Sequence, residues 1–287
     1  MKYAVIDVGS NSVRLMLSDG IDTLYKKVNT TKLAEGMEEQ RKLTQIAIER
    51  TAKAVADFYA QAKKDIADKI FVFATAAVRQ AKNGNEFVNA VKKLCGADVH
   101  VVSGGIEAEL GYLGALGGKD GGVIDVGGAS SEIIVVKNKK VIYSHSLDLG
   151  AVKLKDACGQ DFNSVEKVTA EKLKEYGIVP KTQFYAIGGT ATSLVALELE
   201  LEPYDPKMVD GYVLTKLNLS NLVDKLFSLT IEERKKLKGM FPPRAEVIAG
   251  GAKLLLDVMT LVGVDEIIVS ERDNLEGYLI KRLKENE

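Results

Sequence analysis

Two aspartates stand out by their neighbours in the chain. Val5-Ile6-Asp7-Val8-Gly9 returns later as Val123-Ile124-Asp125-Val126-Gly127. Each apolar run carries one carboxylate near its end, then stops at glycine and small hydroxyl residues. Ser10-Asn11-Ser12 come after the first copy and Gly128-Ala129-Ser130-Ser131 after the second. A third glycine turn, Gly188-Gly189-Thr190, ends the apolar run 184–187. Such turns let backbone N–H groups approach a phosphate with no Cβ in the way. An aspartate placed twice just ahead of them suits Mg²⁺ or another divalent cation, held directly or through water beside the phosphate. No turn ends in Gly-Lys-Ser/Thr and none reads GxGxxG, so neither the P-loop nor the dinucleotide fingerprint is present. Any one glycine turn is ordinary turn chemistry. The repeated aspartate is what points to function.

The elements that would position these residues alternate between strand and helix. Each copy of the repeat continues into a second strand, over 13–17 and 133–136, which makes a hairpin. Residues 44–64 carry a helical apolar stripe. Residues 69–74 and 99–102 read as strands, and a helix opens at 103–105 and runs to about 116. In the second half, Asn163 with Glu166 resembles a capping box. A helix extends from the turn 188–190 to about 199. Thr230 with Glu233 is another expected cap, and Pro242-Pro243 precede a helix to about 261. Residues 266–269 are a strand, and the chain ends in a helix from about Asn274. This is the alternation of layered α/β domains. A repeat so widely spaced implies two related domains rather than a solenoid, with the glycine run 117–122 as the seam. Under that symmetry Asp7 and Asp125 would face each other across a cleft.

Composition narrows the classes. The chain has 287 residues, 46% of them hydrophobic, and a formal net charge of −1. That is ample for buried cores, and it argues against a nucleic-acid binder of the strongly basic kind. Two cysteines, Cys95 and Cys158, and two histidines, His100 and His145, form no zinc spacing and no disulfide framework. No apolar run is long enough for a bilayer, and the start MKYAVIDVGS does not read as a signal peptide. A cytoplasmic protein with no nucleic-acid or membrane partner is expected.

The three turns resemble those of the actin and sugar kinase superfamily. Over nearly its full length the chain resembles, more narrowly, the exopolyphosphatase and guanosine pentaphosphate phosphohydrolase family. The resemblance rests on six segments in order: AVIDVGSNSVRL (4–15), FATAAVRQA (73–81), SGGIEAELGYLG (103–114), VIDVGGASSEI (123–133), IGGTATSLVAL (187–197) and RAEVIAGGAKLLLDVM (244–259). It implies two actin-like, ribonuclease H-like α/β domains with the active site in the cleft between them. Residues 1–118 would form the first domain, joined by a C-terminal helix over 272–287, and residues 119–271 the second. It implies release of terminal phosphate from inorganic polyphosphate or guanosine pentaphosphate, and it makes a homodimer plausible.

By the same resemblance, Glu107 is the base that activates water and Arg79 the group that stabilises phosphate charge. Gly9, Ser10, Asn11, Ser12, Gly127, Gly128, Ser130, Gly189 and Thr190 bind phosphate. Asp7, Asp125 and Glu132 serve the metal or its water. The chain departs from the family pattern in places. Ile106-Glu107-Ala108-Glu109 replaces Glu-Glu-Ala-Arg, which makes Glu109 a competing base. Ala129 replaces a loop glycine. Asp210 and the segment Asp273-Asn274-Leu275 differ as well. Longer relatives add a helical domain with a metal motif, and this chain ends before it. Two other readings share these loops. One is an actin-like kinase that transfers phosphate to a small acceptor, and the other is a nucleotide or alarmone sensor without turnover.

Overall fold

The computed structural model describes residues 1–37 and 41–285. The chain divides into two compact units, residues 1–110 with 274–287, and residues 111–273.

The first unit is built on β1 (Tyr3–Val8), β2 (Ser12–Ser18), β3 (Thr23–Thr30), β4 (Lys69–Ala74) and β5 (Val99–Val101). Their order in the sheet is β3-β2-β1-β4-β5. β1 runs antiparallel to β2 and parallel to β4. It is buried along its whole length, which is why its sequence is an almost unbroken apolar run rather than an alternating one. The helix Gln45–Lys64 starts at Thr44, whose hydroxyl accepts from the Ala47 amide.

The second unit carries β6 (Gly121–Val126), β7 (Ser131–Lys137), β8 (Lys140–Leu147), β9 (Phe184–Ile187), β10 (Val213–Thr215) and β11 (Glu266–Val269), in the order β8-β7-β6-β9-β11-β10. From β8 to β11 this repeats the first sheet: a three-stranded antiparallel meander, then parallel strands across the centre. β10 adds an antiparallel edge. The ribonuclease H-like arrangement of an actin-like domain is therefore present twice. Helices Gly188–Glu198 and Ile248–Val262 pack with β6, β9 and β11 in one large core.

The units divide between Leu110 and Gly111, inside the helix Gly104–Leu116, rather than at the glycine run 117–122 expected as the seam. Packing explains this. A Cβ at Gly277 would come within 1.8 Å of the Leu110 carbonyl, so the early part of that helix meets the C-terminal helix Asn274–Lys284. A Cβ at Gly114 would strike the Asp273 carbonyl, so its later part belongs with the second unit. In the C-terminal helix, Leu275, Tyr278 and Leu279 enter a core with Tyr3, Val5, Phe73 and Leu110. The Tyr278 ring lies flat on Phe73, with centroids 4.5 Å apart.

One local expectation is corrected. The cap of helix Phe162–Lys172 is Asp161, whose carboxylate accepts from the Ser164 amide, and not Asn163 with Glu166. A charged acceptor one position before the helix takes the first-turn donor more strongly than an amide already inside it. The expected helix after Pro242-Pro243 is present as Ile248–Val262, entered through a short 3₁₀ turn Pro242–Arg244. The box of Thr230 with Glu233 is formed in both directions. Among the described residues, no helix is long and apolar enough to cross a membrane.

Candidate active site

In the first unit, the expected catalytic groups come just after the C-terminal ends of three adjacent strands, β1, β4 and β5, where open α/β sheets place ligands. After β1, the turn 9–12 is closed by the Gly9 amide bonding the Ser12 carbonyl at 3.0 Å. The Asn11 carbonyl accepts from the Thr31 and Lys32 amides, and the Ser10 carbonyl from Ala34. The carbonyls are thus consumed by the next segment of chain. The Ser10 and Asn11 amides donate to no acceptor among the described residues.

After β4, Thr75 leads into the short helix Ala76–Gln80 that carries Arg79. After β5, the Ser103 hydroxyl accepts from the Ile106 amide and starts the helix Gly104–Leu116, with Glu107 in its first turn. Arg79 and Glu107 meet: Arg79 Nη1 donates to Glu107 Oε2 at 2.8 Å and to the Val102 carbonyl at 2.9 Å. Nε and Nη2 of Arg79 have no acceptor among the described residues. Glu107 is 7% exposed. Burial lifts its carboxyl above the ordinary range, Arg79 and the Thr75 hydroxyl pull it back, and the nearby charge of Asp7 adds to the rise. Glu109, the competing base, is held by Lys281 at 3.0 Å on a more exposed stretch of the same helix.

Asp7 has a partner that its motif does not announce. It lies opposite Arg14 in the β1–β2 register, and Arg14 donates from Nε at 3.0 Å and Nη2 at 2.5 Å to Asp7 Oδ2. The guanidinium takes Oδ2, and the other oxygen, Oδ1, is buried beside it. In the second unit the matching register pairs Asp125 with Glu132. Mg²⁺ is commonly held by one or two carboxylates together with substrate phosphate oxygens, so this pair fits a divalent cation. Among the described residues, no three His, Cys, Asp or Glu side chains gather as a metal cluster. The spacing could have revealed the asymmetry. Arg14 comes after Asp7 by the same interval that separates Glu132 from Asp125.

The second turn copies the first. The Gly127 amide bonds the Ser130 carbonyl at 3.0 Å. The Gly127 and Gly128 carbonyls accept from Ala151, Val152 and Lys153 at the start of helix Ala151–Cys158. The Gly128 and Ala129 amides donate to no acceptor among the described residues. Ala129 is buried, so its methyl is turned out of solvent. The helix Gly188–Glu198 has no side-chain cap, which leaves its first amides suited to an anion. The Thr190 hydroxyl donates to the Val126 carbonyl at 2.7 Å and ties the third turn to β6, so it is not spare as a donor to phosphate. Gly188 has φ +78°, and a Cβ there would meet Asp125 Oδ1 at 2.6 Å.

Arg244 is a second residue whose place the sequence motifs did not indicate. Its guanidinium lies against Gly189, where a Cβ would come within 1.8 Å of Nη2. Asp210, one of the departures, accepts from the Glu271 amide and serves the local backbone.

The turn geometry yields a prediction at a residue that touches no ligand. A Cβ at Gly150 would lie 2.5 Å from both the Gly128 carbonyl carbon and its oxygen. Gly150→Ala must therefore push the second turn aside. Activity is expected to fall by about a hundredfold, the size of loss that a misplacement near 1 Å produces, with far-UV circular dichroism unchanged. Wild-type activity in this variant would show that the turn's position is not needed.

Comparison with known proteins identifies the family. The family profile described as the Ppx/GppA phosphatase family matches residues 12–286. Exopolyphosphatase 2 of Mycobacterium tuberculosis is 29% identical over 97% of this chain and 98% of its own length. The guanosine-5'-triphosphate,3'-diphosphate pyrophosphatase of Aeromonas hydrophila is 25% identical over 99% of this chain and 60% of its own. A crystal structure of the Aquifex aeolicus Ppx/GppA family member superposes with a TM-score of 0.81 at 32% identity, covering 100% of this chain and 99% of that one. With two ribonuclease H-like units, three glycine turns and a buried Glu107–Arg79 pair, the chain belongs to the Ppx/GppA phosphatase family, hydrolases of phosphoric anhydride bonds.

Proposed function

We propose that this protein releases terminal orthophosphate from inorganic polyphosphate, guanosine pentaphosphate or both, with Glu107 as the base. The observation that carries the reading is the Glu107–Arg79 pair. Arg79 is anchored through Nη1 on Glu107 and Val102, which orients its remaining N–H groups toward a bound anion. A planar guanidinium suits the charge spread over a transferring phosphoryl group. The same anchor fixes Glu107 beside that phosphate, where it aligns a water molecule. The water oxygen bonds to the terminal phosphorus as its bridging P–O bond breaks. The proton goes to Glu107, and the shortened chain leaves as an anion that needs no proton. In the first unit the amides of Ser10 and Asn11, with the Ser12 hydroxyl, are the donors offered to phosphate; in the second they are the amides of Gly128, Ala129 and the turn at Gly189 and Thr190, with the Ser130 hydroxyl. Asp125 and Glu132 would hold a divalent cation, Mg²⁺ by preference, which supplies charge neutralisation on the phosphates. Asp7, held by Arg14 through Oδ2, would serve a cation or its water through Oδ1, and its charge shapes the field at Glu107.

Family membership and the activities for which the two relatives are named support this substrate class. The test measures orthophosphate release from short-chain polyphosphate, long-chain polyphosphate and guanosine pentaphosphate, with Mg²⁺ and no acceptor. Release from at least one is expected, and the preferred substrate names the branch. No release from any would reject the hydrolase reading, and transfer only to an added acceptor would make the protein a kinase.

A further inference from the structure

The two units share a fold and a turn, yet differ in one transverse row of side chains. In the first unit the row across β1, β2 and β3 is Asp7, Arg14 and Val28. In the second, across β6, β7 and β8, it is Asp125, Glu132 and Ser146. The central position explains the outer one. Arg14 is a donor that Asp7 holds, and the residue beyond it, Val28, is apolar. Glu132 is a carboxylate, 3% exposed, and a buried carboxylate needs donors. Ser146 supplies one: its Oγ donates to Glu132 Oε1 at 2.7 Å.

We propose that Ser146 is a positioning residue that fixes Glu132 for the divalent cation. The proposal rests on the reading of Asp125 and Glu132 as the pair that holds it. A glutamate has three side-chain torsions, and a hydroxyl on one oxygen selects the rotamer that aims the carboxylate along its row. Outer partners of this kind fix ligand orientation at metal sites, and their removal typically weakens metal affinity by about 10–100-fold. β8 is an edge strand, and Ser146 lies at its exposed side. Removing the hydroxyl leaves no buried cavity, so a loss of fold is not expected.

The test is Mn²⁺ binding to substrate-free protein, read from the paramagnetic resonance of the free ion, for wild type, Ser146→Ala, Ser146→Thr and Asp125→Asn. The Kd is expected to rise about tenfold or more in Ser146→Ala, with its Tm near wild type, and to return toward wild type in Ser146→Thr. The Mg²⁺ concentration for half-maximal activity should rise in parallel, while KM for substrate at saturating Mg²⁺ stays put. If wild type binds and Asp125→Asn does not, but Ser146→Ala binds as wild type does, the serine has no positioning role and the cation pair stands. If Asp125→Asn binds as wild type does, or wild type binds no Mn²⁺, the cation pair fails and the proposal fails with it.

Discussion

Glu107→Gln lowers kcat for phosphate release by about 10²–10⁴ and leaves KM close to wild type. Glutamine nearly matches the shape and still offers an oxygen to Arg79 Nη1, so the anion-binding edge of Arg79 is kept while the proton acceptor is lost. A fall in KM-linked binding with kcat intact would mean that Glu107 holds substrate rather than water. Equal activity would move the base elsewhere. Glu109 is then the next residue to test, although its ion pair with Lys281 favours a structural role.

The same substitution has a stability signature with a defined sign. Burial holds the Glu107 carboxyl above the ordinary carboxylate range in the folded protein. Between the unfolded and folded values the folded state binds more protons than the unfolded state. Stability therefore falls as pH rises through that interval. Glu107→Gln removes this slope. Chemical denaturation across the acid range should show the stability of the wild type falling relative to that of the variant as pH rises. Catalytic activity runs the other way: the wild type loses activity as pH falls and Glu107 becomes protonated. Function and stability are opposed at this one side chain, as expected of a desolvated catalytic group.

Arg79→Ala is expected to reduce kcat/KM by about 10²–10³, the loss found when a preorganised donor to a reacting anion is removed. Two effects combine. The phosphate loses its guanidinium, and Glu107 loses the group that opposes the rise in its pKa. The acid limb of the pH–rate profile should move to higher pH in Arg79→Ala, so that the defect is deeper at neutral pH than at alkaline pH. Arg79→Lys keeps a charge but not the planar fork that spans Val102, Glu107 and an anion at once, and it should recover only part of the activity. An acid limb unmoved in Arg79→Ala would mean that the two side chains act independently, against their 2.8 Å contact.

The sequence alone was enough for the fold class and the family. An apolar strand ending in Asp and Gly, used twice, is legible because a buried central strand leaves a continuous apolar run and its turn demands glycine. Glu107 and Arg79 came from family resemblance, since a glutamate in a helix's first turn and an arginine on a short helix look like ordinary surface chemistry. The edge strands β3 and β8 are not legible in the sequence. They carry lysines and polar residues toward solvent, as edge strands do, and so lack the apolar signature.

Only the tertiary structure paired the charges. Register across a sheet joins residues that the sequence keeps apart, and it set Arg14 on Asp7 while leaving Glu132 opposite Asp125. The same position of the row is therefore basic in one unit and acidic in the other, although the two strand-turn-strand motifs look alike along the chain. The division of the chain inside helix Gly104–Leu116 has the same origin. Glycine runs mark where a backbone can turn, but close approaches at Gly277 and Gly114 decide which core each turn of that helix joins.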